Sequence, residues 1–558
     1  MGIPSYFSYI VKNYPEIIKK FVNYNLKVDN LYLDCNSIIY ELYYKVVSQQ
    51  SESSKSNLTS NLIKGVCLKI ENYIQIVKPT KRVFIAFDGV APVAKLEQQR
   101  SRRYKSAYQN DIKRQICQQS EPDPWNTAAI TPGTQFMSEL SQSIKEYFYN
   151  SYNQLTIINS TSDIYGEGEH KIFEYIRLNA EEHKNDTTVI YGLDADLIML
   201  SINHLPICNN IYLFRETPHF IQSIDKELDP NENYLLDIPL LTKSIVLFMN
   251  NDTNANETNA NETNDQILND TNDNETNEQN NSNNNSNSKI HDYIFLSFFL
   301  GNDFLPHFPA VNIRTGGMDK LLNAYRATIK TNEYLTDGKT ICWKNVRKLV
   351  EFLAVKEEDF LKEECKLRNK REKFVYPTDT DENVFKRFEL VPTYEREMEK
   401  YINPFQDYWE SRYYKTLFDI RSDITGQKRK NICLNYMEGL EWTMKYYTSG
   451  CVNWRWYYKY HYPPLLSDLK QFIPLFDTTF VEFKQPNPVS PMVQLCYVLP
   501  LSSLYLIPEK IYKKLLETRP EWYKNDYEFI WCFCRYFWES HVKMNAIDID
   551  ELENLVKI

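Results

Sequence analysis

The sequence lacks the cysteine and histidine spacing that binds zinc. Its 11 cysteines are scattered without a CxxC pair, and Cys532 and Cys534 together are a weak signal. No apolar run approaches the ~18 residues of a membrane span. The start, MGIPSYFSYIVKNYPEIIKK, lacks the layout of a signal peptide, and Tyr6 breaks the myristoylation pattern. We therefore expect a soluble, intracellular protein without a membrane partner, with reduced thiols, cytoplasmic rather than nuclear.

A net positive charge is also missing. The formal net charge is −10, which at first disfavours a nucleic-acid partner. Residues 251–288, however, carry eight acids and no bases, so the rest of the chain is close to −2. This segment is almost wholly Asn, Asp, Glu, Thr and Ser, and we expect a disordered insert because it cannot bury enough apolar surface. Local charge, rather than the total, therefore decides whether the chain binds nucleic acid.

The chain does contain enough apolar sequence for sizeable cores. It has 558 residues and 14% aromatic residues, which is enough for two or more well-packed domains. Short apolar runs predict buried strands over residues 31–33, 83–87, 189–191 and 211–214. Helical spacing predicts a lead-in over residues 1–30 and helices over 62–77, 95–114, 131–148 and 294–300. This alternation predicts an α/β fold with a mostly parallel central sheet flanked by helices.

Four carboxylates fall in two short clusters that meet changes of secondary structure. Glu167 and Glu169 lie in GEGEH, where helical spacing begins. Asp194 and Asp196 follow a buried strand, at the end where open α/β sheets keep their sites. Clustered carboxylates repel one another unless a cation lies between them, and hard oxygen ligands favour Mg²⁺ or Mn²⁺. The alternative is a set of ordinary surface acids at loop ends.

Three further acids stand in similar places. Asp34 and Asp88 each end a predicted strand, and Asp303 follows Gly301 at the end of a buried helix. Each is unremarkable alone, since an aspartate at such a position is commonly a cap. Together with the two clusters, they indicate one site assembled from strand ends.

A basic helix is predicted directly after the second of these strands. Seven bases and two acids lie between Lys95 and Arg114, without proline or glycine. Lys95, Gln99, Arg102 and Arg103 recur on one helical face. Several fixed donors on one face suit a phosphate monoester. A solvated basic face is the alternative, and the position after a site-forming strand favours the phosphate.

The amino-acid composition of the chain changes beyond about residue 325. Residues 356–373 are highly charged and predict a solvated helix, while residues 437–462 interleave aromatic and basic residues. Such interleaving suits stacking of single-stranded bases, with a core of packed tyrosines and tryptophans as the alternative. We therefore expect a core domain over 1–325, interrupted by the insert 251–288, and a mainly helical, aromatic-rich second region over 326–558.

The motifs resemble those of the XRN-type 5′→3′ exoribonuclease family over nearly the whole chain. Those similar to its first conserved region are MGIPSYF, LYLDCNSII, AFDGVAPVAKLEQQRSRRY, ITPGTQFM, GEGEHKI, YGLDADLIML and FLGNDFLPH. GCVNWRWYYKYHYPP resembles the second. The resemblance implies a minimal form with a flap-nuclease-like core, in which the second region completes the substrate pocket and the long C-terminal extension of the cytoplasmic type is missing.

The resemblance also implies roles for individual residues. The family's acidic, metal-binding cluster carries over to Asp34, Asp88, Glu167, Glu169, Asp194, Asp196 and Asp303. Its pocket for a 5′-terminal phosphate carries over to Lys95, Gln99, Arg102 and Arg103. Tyr40 stands where the family usually has a histidine that stacks on the terminal base, and its partner is Trp454 or Trp456. Tyrosine can stack as well but is not protonated near neutral pH.

The expected activity is 5′→3′ degradation of 5′-monophosphorylated single-stranded RNA to mononucleotides. Two Mg²⁺ ions roughly 4 Å apart, or Mn²⁺, would clamp the scissile phosphate. A cap or triphosphate is not expected to fit the terminal pocket, and we expect a monomer. One alternative is a structure-specific endonuclease of the flap type, which shares clustered carboxylates. The other is an RNA-binding scaffold without catalysis, which the intact set of acids disfavours.

Overall fold

The structure is a computed structural model of the chain. It describes residues 2–21, 26–49, 58–118, 125–149, 154–216, 232–250, 288–524 and 526–557, together with the single positions 152, 226, 228 and 229. The predicted disorder of the insert falls on residues 251–287, outside the described residues.

A seven-stranded, mostly parallel sheet forms the centre of the first region, which confirms the predicted fold class. Its strands are β1 (Ile18–Lys20), β2 (Asn30–Asp34), β3 (Arg82–Ala86), β4 (Thr156–Ser160), β5 (Thr187–Tyr191), β6 (Asn210–Glu216) and β7 (Asn233–Asp237), in the order β1-β7-β6-β5-β2-β3-β4. The pairs among β2 to β6 are parallel, whereas β7 pairs antiparallel with both β6 and β1. Asp34 lies opposite Ala86, and Leu33 lies opposite Tyr191, so the central strands end at one edge of the sheet.

Helices cover both faces of this sheet. They are α1 (Tyr6–Asn13), α2 (Asn36–Gln49), α3 (Leu58–Val77), α4 (Val93–Ile116), α5 (Gln135–Tyr147), α6 (Gly168–Leu178), α7 (Ala180–His183), α8 (Asp196–His204), α9 (Ile238–Met249) and α10 (288–297). A 3₁₀ turn over Phe298–Leu300 continues α10 as far as Gly301. Apart from the N-terminal lead-in, the predicted helices of this region are therefore present, with ends displaced by a few residues.

The second region is mainly helical, as predicted. Its elements are α11 (Gly317–Thr328), α12 (Trp343–Arg371), α13 (Asp381–Glu389), α14 (Glu397–Ile402), α15 (Trp409–Phe418), α16 (Gln427–Thr448), α17 (Leu466–Phe472), α18 (Pro491–Val498), α19 (Glu509–Thr518) and α20 (Ile549–Val556), with a hairpin of β8 (Glu528–Ile530) and β9 (His541–Lys543). Within the described ranges, no helix combines the length and apolar character needed to cross a membrane.

One hydrophobic cluster joins the sheet to the helices of the second region. Alternation along β2 sends Tyr32 into this cluster and its neighbour Leu33 into a second cluster on the opposite face. The shared cluster also contains Ile190 of β5, Trp343 of α12 and Trp442 of α16, all fully buried. The sheet and the second region therefore exclude water from the same core.

The N-terminal lead-in is helical over a shorter stretch than the sequence predicts. α1 ends at Asn13, and Ile18–Lys20 form β1 instead of continuing the helix. β1 pairs antiparallel with β7, with Ile18 opposite Leu236. The backbone groups at the edge of the sheet thus gain a partner, and this pairing overrides the helical spacing of the local sequence.

The charged run over residues 356–373 is helical, but it is not simply solvated. It forms the end of α12, where Glu357, Glu364 and Arg368 are buried. The Arg368 guanidinium donates two hydrogen bonds to the Glu399 carboxylate, at 2.6 and 2.8 Å. Because Glu399 comes from α14, local sequence gave no sign that these charges would be paired and buried.

Candidate active site

The predicted acids at the ends of β2 and β3 lie side by side at one edge of the sheet. Asp34 is the last residue of β2, and Asp88 follows β3 by two residues. The backbone N–H of Gly168, at the start of α6, donates to Asp88 Oδ1 at 2.8 Å. An amino-terminal helix end favours a negative charge, so α6 stabilises this carboxylate as an anion.

The opening of α6 brings two further acids to the same edge. Glu167 occupies the N-cap position, and Glu169 lies in the first turn, so GEGEH opens a helix as predicted. Gly168 stands between them, and a Cβ atom there would lie 2.6 Å from Asp34 Oδ1. Glycine suits this position, because a Cβ atom here would collide with the Asp34 carboxylate and displace it.

The remaining three predicted acids complete the group. Asp194 lies in the turn after β5, and Asp196 is the first residue of α8. Asp303 follows the end of α10, and it interacts electrostatically with Asp196. Asp34 interacts in the same way with Asp194. The structure thus gathers all seven predicted acids into one region, named here the acidic cluster.

Burial and mutual repulsion shift the pKa values of several members of the acidic cluster. Burial raises the pKa of Asp34, and the neighbouring Asp88 raises it further. Burial also raises the pKa of Glu169, with Asp196 as the next cause. The pKa of Asp196 rises to about 7 because of burial and the nearby Asp303. Several buried carboxylates are thus difficult to ionise together without added positive charge.

Lys95 supplies part of that positive charge. Its Nζ atom lies 2.5 Å from Glu167 Oε2 and 2.7 Å from Asp303 Oδ2. Burial disfavours the charged form of Lys95, but Asp303 and Glu167 outweigh burial and raise its pKa well above the usual value. Burial likewise opposes ionisation of Asp303, yet Lys95 outweighs it and holds the pKa of this carboxyl below its usual range. The lysine therefore belongs to the acidic cluster.

Three buried oxygen atoms of the acidic cluster have no hydrogen-bond partner among the residues that the structure describes. They are Asp34 Oδ1, Glu169 Oε2 and Asp196 Oδ1. Such carboxylate oxygens fit a hard divalent cation, which would relieve both their repulsion and their desolvation. Within the described residues, however, no group of three or more acid, histidine or cysteine side chains forms a ready-made metal site.

Residues not predicted from the sequence hold the acids in place. Asn36 Nδ2 donates to Asp88 Oδ2 at 2.7 Å, and the Asp88 backbone N–H donates to Asn36 Oδ1 at 3.0 Å. Lys171 Nζ donates to the carbonyl oxygens of Phe87 and Thr161 at 2.7 and 3.0 Å, which ties α6 to the sheet. Asn36 lies two residues after Asp34 in LYLDCNSII, a short spacing that could have suggested its role.

Two consecutive tyrosines of α16 reach the acidic cluster from the second region. The Tyr446 hydroxyl donates to Glu167 Oε1 at 2.7 Å. The Tyr447 hydroxyl forms a hydrogen bond with Asp196. The Tyr446 ring also stacks on His170 of α6, with centroids 3.7 Å apart. The helical region therefore contributes directly to the environment of two acids more than 200 residues earlier in the chain.

The predicted phosphate-binding residues occupy α4, but they have different environments. Gln99 is buried, and its Oε1 atom has no hydrogen-bond partner in the described part of the chain. Arg103 Nη2 donates to Thr131 Oγ1 at 2.5 Å, and burial lowers the pKa of Arg103 to about 10. Arg102 interacts electrostatically with Asp303, as expected for a residue close to the acidic cluster. A phosphate-binding role for these residues stays a prediction.

The structure distinguishes the two tryptophan candidates for base stacking. Trp456 stacks on Trp442 in the shared core, with centroids 5.1 Å apart and an interplanar angle of 25°. Trp454 meets the half-exposed Tyr165 edge to face, and its carbonyl oxygen accepts a hydrogen bond from the Val93 N–H at the start of α4. Trp454 is thus the better placed candidate.

Tyr40, the other predicted stacking residue, lies on α2. It is half-buried, packs against the second hydrophobic cluster, and interacts electrostatically with Arg103 of α4. Among the described residues, no hydrogen bond or ring contact joins Tyr40 to a member of the acidic cluster. Its predicted stacking role, like that of Trp454, remains a prediction.

The fold and the site together define the class of the protein. A parallel sheet with clustered carboxylates at its carboxyl edge, beside a basic helix, is the arrangement of a hydrolytic nuclease. Seven acids from five separate places in the chain meet here, and burying so many carboxylates together is costly unless they are paired or bind a cation. The comparisons with known proteins identify the family.

Two family models match the chain in order. The model described as XRN 5'-3' exonuclease N-terminus matches residues 1–217, and the model described as Xrn1 helical domain matches residues 283–400 and 389–557. A Drosophila melanogaster protein named 5'-3' exoribonuclease 2 homolog is 27% identical over 98% of this chain and 70% of its own length. An Arabidopsis thaliana protein named 5'-3' exoribonuclease 2 is 26% identical over 98% of this chain and 66% of its own length.

A third relative is much longer than this chain. The Saccharomyces cerevisiae protein named 5'-3' exoribonuclease 1 is 27% identical over 91% of this chain, but only 40% of its own length is covered. The matched motifs, both family models and these relatives agree over nearly the whole chain. The chain belongs to the XRN-type 5′→3′ exoribonuclease family, and the resemblance stated from the sequence is confirmed.

Proposed function

We propose that this nuclease degrades single-stranded RNA with a 5′ monophosphate, from its 5′ end, to nucleoside 5′-monophosphates. The observation that carries the proposal is the convergence of the seven acids at the edge of the sheet, with α4 beginning beside them. The position of Lys95 within the acidic cluster supports it further, because this residue leads into the basic part of α4. Family membership supports the same reaction.

The oxygen donors of the acidic cluster fit divalent cations, and we propose two Mg²⁺ ions, with Mn²⁺ as a substitute. Asp34, Glu169 and Asp196 offer buried oxygens that have no hydrogen-bond partner in the described part of the chain, and the other four acids belong to the same cluster. When bound, such cations activate water and stabilise the leaving 3′ oxygen. The carboxylates themselves bind and orient the cations and do not act as general acid or base.

The residues of α4 would set the position at which the RNA is cleaved. Gln99, Arg102 and Arg103 carry the donors for the terminal phosphate, and the unpartnered Gln99 amide oxygen can orient that side chain towards a bound water or hydroxyl. A phosphate held there fixes the distance from the 5′ end to the acidic cluster, so cleavage releases one nucleotide. A monophosphate fits such a fixed set of donors better than a cap or triphosphate, whose additional groups need space beyond it.

Aromatic side chains would hold the first bases. Trp454 and Tyr40 can stack on unpaired bases, and stacking is worth about 1–3 kcal/mol per base. Paired bases of a duplex cannot separate to stack in this way without losing their own pairing energy. The proposal therefore requires a single-stranded end.

The test of this proposal is digestion of four matched RNAs that differ only at the 5′ end. They carry a monophosphate, a hydroxyl, a triphosphate or a cap, and each is incubated with Mg²⁺ and with EDTA. We expect rapid release of mononucleotides from the monophosphate RNA alone, and none in EDTA. Equal degradation of all four ends would contradict the terminal-phosphate pocket, and unchanged degradation in EDTA would contradict the metal site.

Two sets of variants connect the reaction to the residues. Asp194→Ala and Asp196→Ala should abolish cleavage while RNA binding persists, with Asp381→Ala, an exposed acid of α13, as the control. Arg102→Ala should weaken the preference for a 5′ monophosphate, with the exposed Lys113→Ala on the same helix as its control. If Arg102→Ala slows 5′-hydroxyl and 5′-phosphate RNAs equally, the residue does not read the terminal phosphate.

The same RNAs separate the alternatives. A flap-type endonuclease would release one internal fragment, whereas the proposed exonuclease releases mononucleotides from the first time point. A scaffold without catalysis would bind the RNA and leave its length unchanged in Mg²⁺. Either result would replace the proposal.

A further inference from the structure

A cavity of about 500 Å³ lies beside the acidic cluster, along a face of α4 next to the one that carries Gln99 and Arg103. Asp303 and Arg102 both line it, whereas Gln99 and Arg103 do not. This volume is within the range of small-molecule sites, ~300–1,000 Å³. The cavity is named here the side chamber, and neither the proposed metal site nor the proposed terminal-phosphate pocket requires it.

The side chamber is lined by more basic than acidic side chains: Arg100, Arg102, Lys105, Arg314 and Lys459 against Glu97, Asp303 and Glu539. Arg102 and Lys459 form no hydrogen bond or ion pair through their side chains with any residue that the structure describes. Lys105 Nζ donates to the carbonyl oxygens of Trp538 and Ser540 at 2.7 and 2.8 Å, and it interacts electrostatically with Glu539. Such a group of cations favours an anionic ligand.

The acids of the side chamber are already paired. Asp303 Oδ2 lies 2.7 Å from Lys95 Nζ, and Glu539 Oε1 lies 2.5 Å from Arg314 Nη2. Glu97 accepts a hydrogen bond from the Tyr497 hydroxyl. Asp303 and Glu539 thus each lie against another cation, and the five basic side chains of the lining still outnumber its three acids, so the chamber keeps an excess of positive charge.

Aromatic and hydrogen-bonding groups complete the lining. Tyr457, Tyr460 and Trp538 line the chamber, and the Trp538 ring stacks on Tyr536 with centroids 5.9 Å apart and an interplanar angle of 11°. His307 also lines it, and its buried Nε2 atom has no hydrogen-bond partner within the described ranges. Aromatic faces suit a nucleobase, and a polar atom without a partner suits a sugar hydroxyl.

We propose that the side chamber binds a nucleoside 5′-monophosphate and receives the nucleotide released at the acidic cluster. This inference rests on the proposed function, because that reaction supplies the nucleotide. Arg102 lies between the predicted terminal-phosphate face of α4 and the chamber, so it can hold the same phosphate before and after cleavage. Lys105 and Lys459 then hold that phosphate in the chamber, and the aromatic residues contact the base.

The test measures binding of adenosine 5′-monophosphate to the full chain by equilibrium dialysis in EDTA, so that no turnover occurs. We expect Lys459→Ala to weaken binding roughly tenfold, as expected for loss of a charge-assisted contact. Lys459 is exposed, so its substitution should not disturb folding. Trp538→Ala should also weaken binding, and adenosine without phosphate should bind more weakly than the monophosphate.

Two control variants define the site. Lys513→Ala removes an exposed lysine of α19 that pairs with Glu509, and it should leave binding unchanged. Lys113→Ala removes an exposed lysine of α4 that does not line the side chamber, and it should also leave binding unchanged. Binding that is lost in Lys113→Ala but kept in Lys459→Ala would overturn the proposal, as would the absence of any binding to the unsubstituted chain.

A parallel RNA digestion separates this inference from the proposed function. If the chain degrades 5′-monophosphorylated RNA but Lys459→Ala binds the nucleotide normally, the side chamber is not the nucleotide site and only this inference fails. If nucleotide binding depends on Lys459 but RNA is not degraded from its 5′ end, the chamber is a nucleotide site and the proposed reaction is wrong.

Discussion

Replacing Tyr446 by phenylalanine tests whether the second region affects the pKa of Glu167 and the affinity of the acidic cluster for Mg²⁺. The substitution removes the hydroxyl that donates to Glu167 Oε1 at 2.7 Å and keeps the ring that stacks on His170. Both Tyr446 and Glu167 are buried, so water cannot replace the lost donor without rearrangement. The variant should therefore fold normally and differ at one hydrogen bond.

The size of the effect follows from the contacts of Glu167. Burial already raises the pKa of Glu167, while Lys95 and the Tyr446 hydroxyl lower it. A hydrogen bond to a charged group contributes about 1.5–3 kcal/mol, which corresponds to roughly one to two pKa units. Since Lys95 remains on the other oxygen, we expect the lower end of this range. Loss of a residue that orients a metal ligand weakens metal affinity about 10–100-fold.

The assay is a Mg²⁺ titration of RNA degradation. We expect Tyr446→Phe to need about tenfold more Mg²⁺ for half-maximal rate, with the maximal rate largely restored at saturation. The deficit should grow as the pH is lowered, because protons compete with the cation for a carboxylate whose pKa has risen further. Tyr436→Phe on the same helix is the matched control, since its hydroxyl donates to the Pro306 carbonyl oxygen at 3.3 Å.

An unchanged Mg²⁺ requirement in Tyr446→Phe would refute the reasoning. So would a loss of maximal rate that no concentration of Mg²⁺ restores, because the hydroxyl would then act in the chemical step itself. An equal change in the Mg²⁺ requirement of Tyr436→Phe would show that the effect comes from altered packing of α16 and not from the hydrogen bond to Glu167.

Three further predictions concern separate parts of the molecule. Trp454 and Trp456 are both buried, so replacing either by alanine should destabilise the fold by about 3–5 kcal/mol. Only Trp454→Ala should in addition weaken binding of single-stranded RNA by about 1–3 kcal/mol; binding and thermal melting measure the two effects. Gly2→Ala should reduce cleavage at least tenfold with an unchanged circular dichroism spectrum, because a Cβ there would lie 2.2 Å from Asp196 Oδ1; full activity would contradict this packing. Burial raises the pKa of Glu357 to about 7. The protonated Glu357 side chain therefore contributes stability that is fully present below the pKa of this group in the unfolded chain, and that contribution is lost as the pH rises through 7. Between pH 4 and 8, the free energy of unfolding of Glu357→Gln should therefore rise by roughly 3 kcal/mol relative to that of the unsubstituted chain. A difference in thermal midpoint that does not change with pH would show that Glu357 does not ionise in this range.

The sequence predicted those features whose signals are local. Apolar runs such as Val189–Tyr191 end at glycine and aspartate, and this pattern alone gave β5 and the position of Asp194. The buried strands of a parallel sheet are short and continuous, so their carboxyl ends could be inferred to meet at one edge. The opening of α6 at GEGEH followed from helical spacing in the same way.

The features that escaped prediction depend on contacts between distant parts of the chain. Nothing near Tyr446 indicates that its hydroxyl reaches Glu167, which lies 279 residues earlier. The burial of Arg368 depends on Glu399 of another helix, and β1 forms because β7 offers an edge. Lys95 fitted a phosphate-binding face by spacing, but only the fold showed that it lies among the acids.

The contact between α16 and the acidic cluster also affects when the site becomes complete during synthesis. Asp194 and Asp196 leave the ribosome long before Tyr446 and Tyr447, and at 5–20 residues per second the interval is roughly 10–50 s. Until the later helix arrives, Glu167 and Asp196 lack these hydroxyl partners. A nascent chain therefore carries an unfinished cleavage centre while it is still attached to the messenger from which it is being translated.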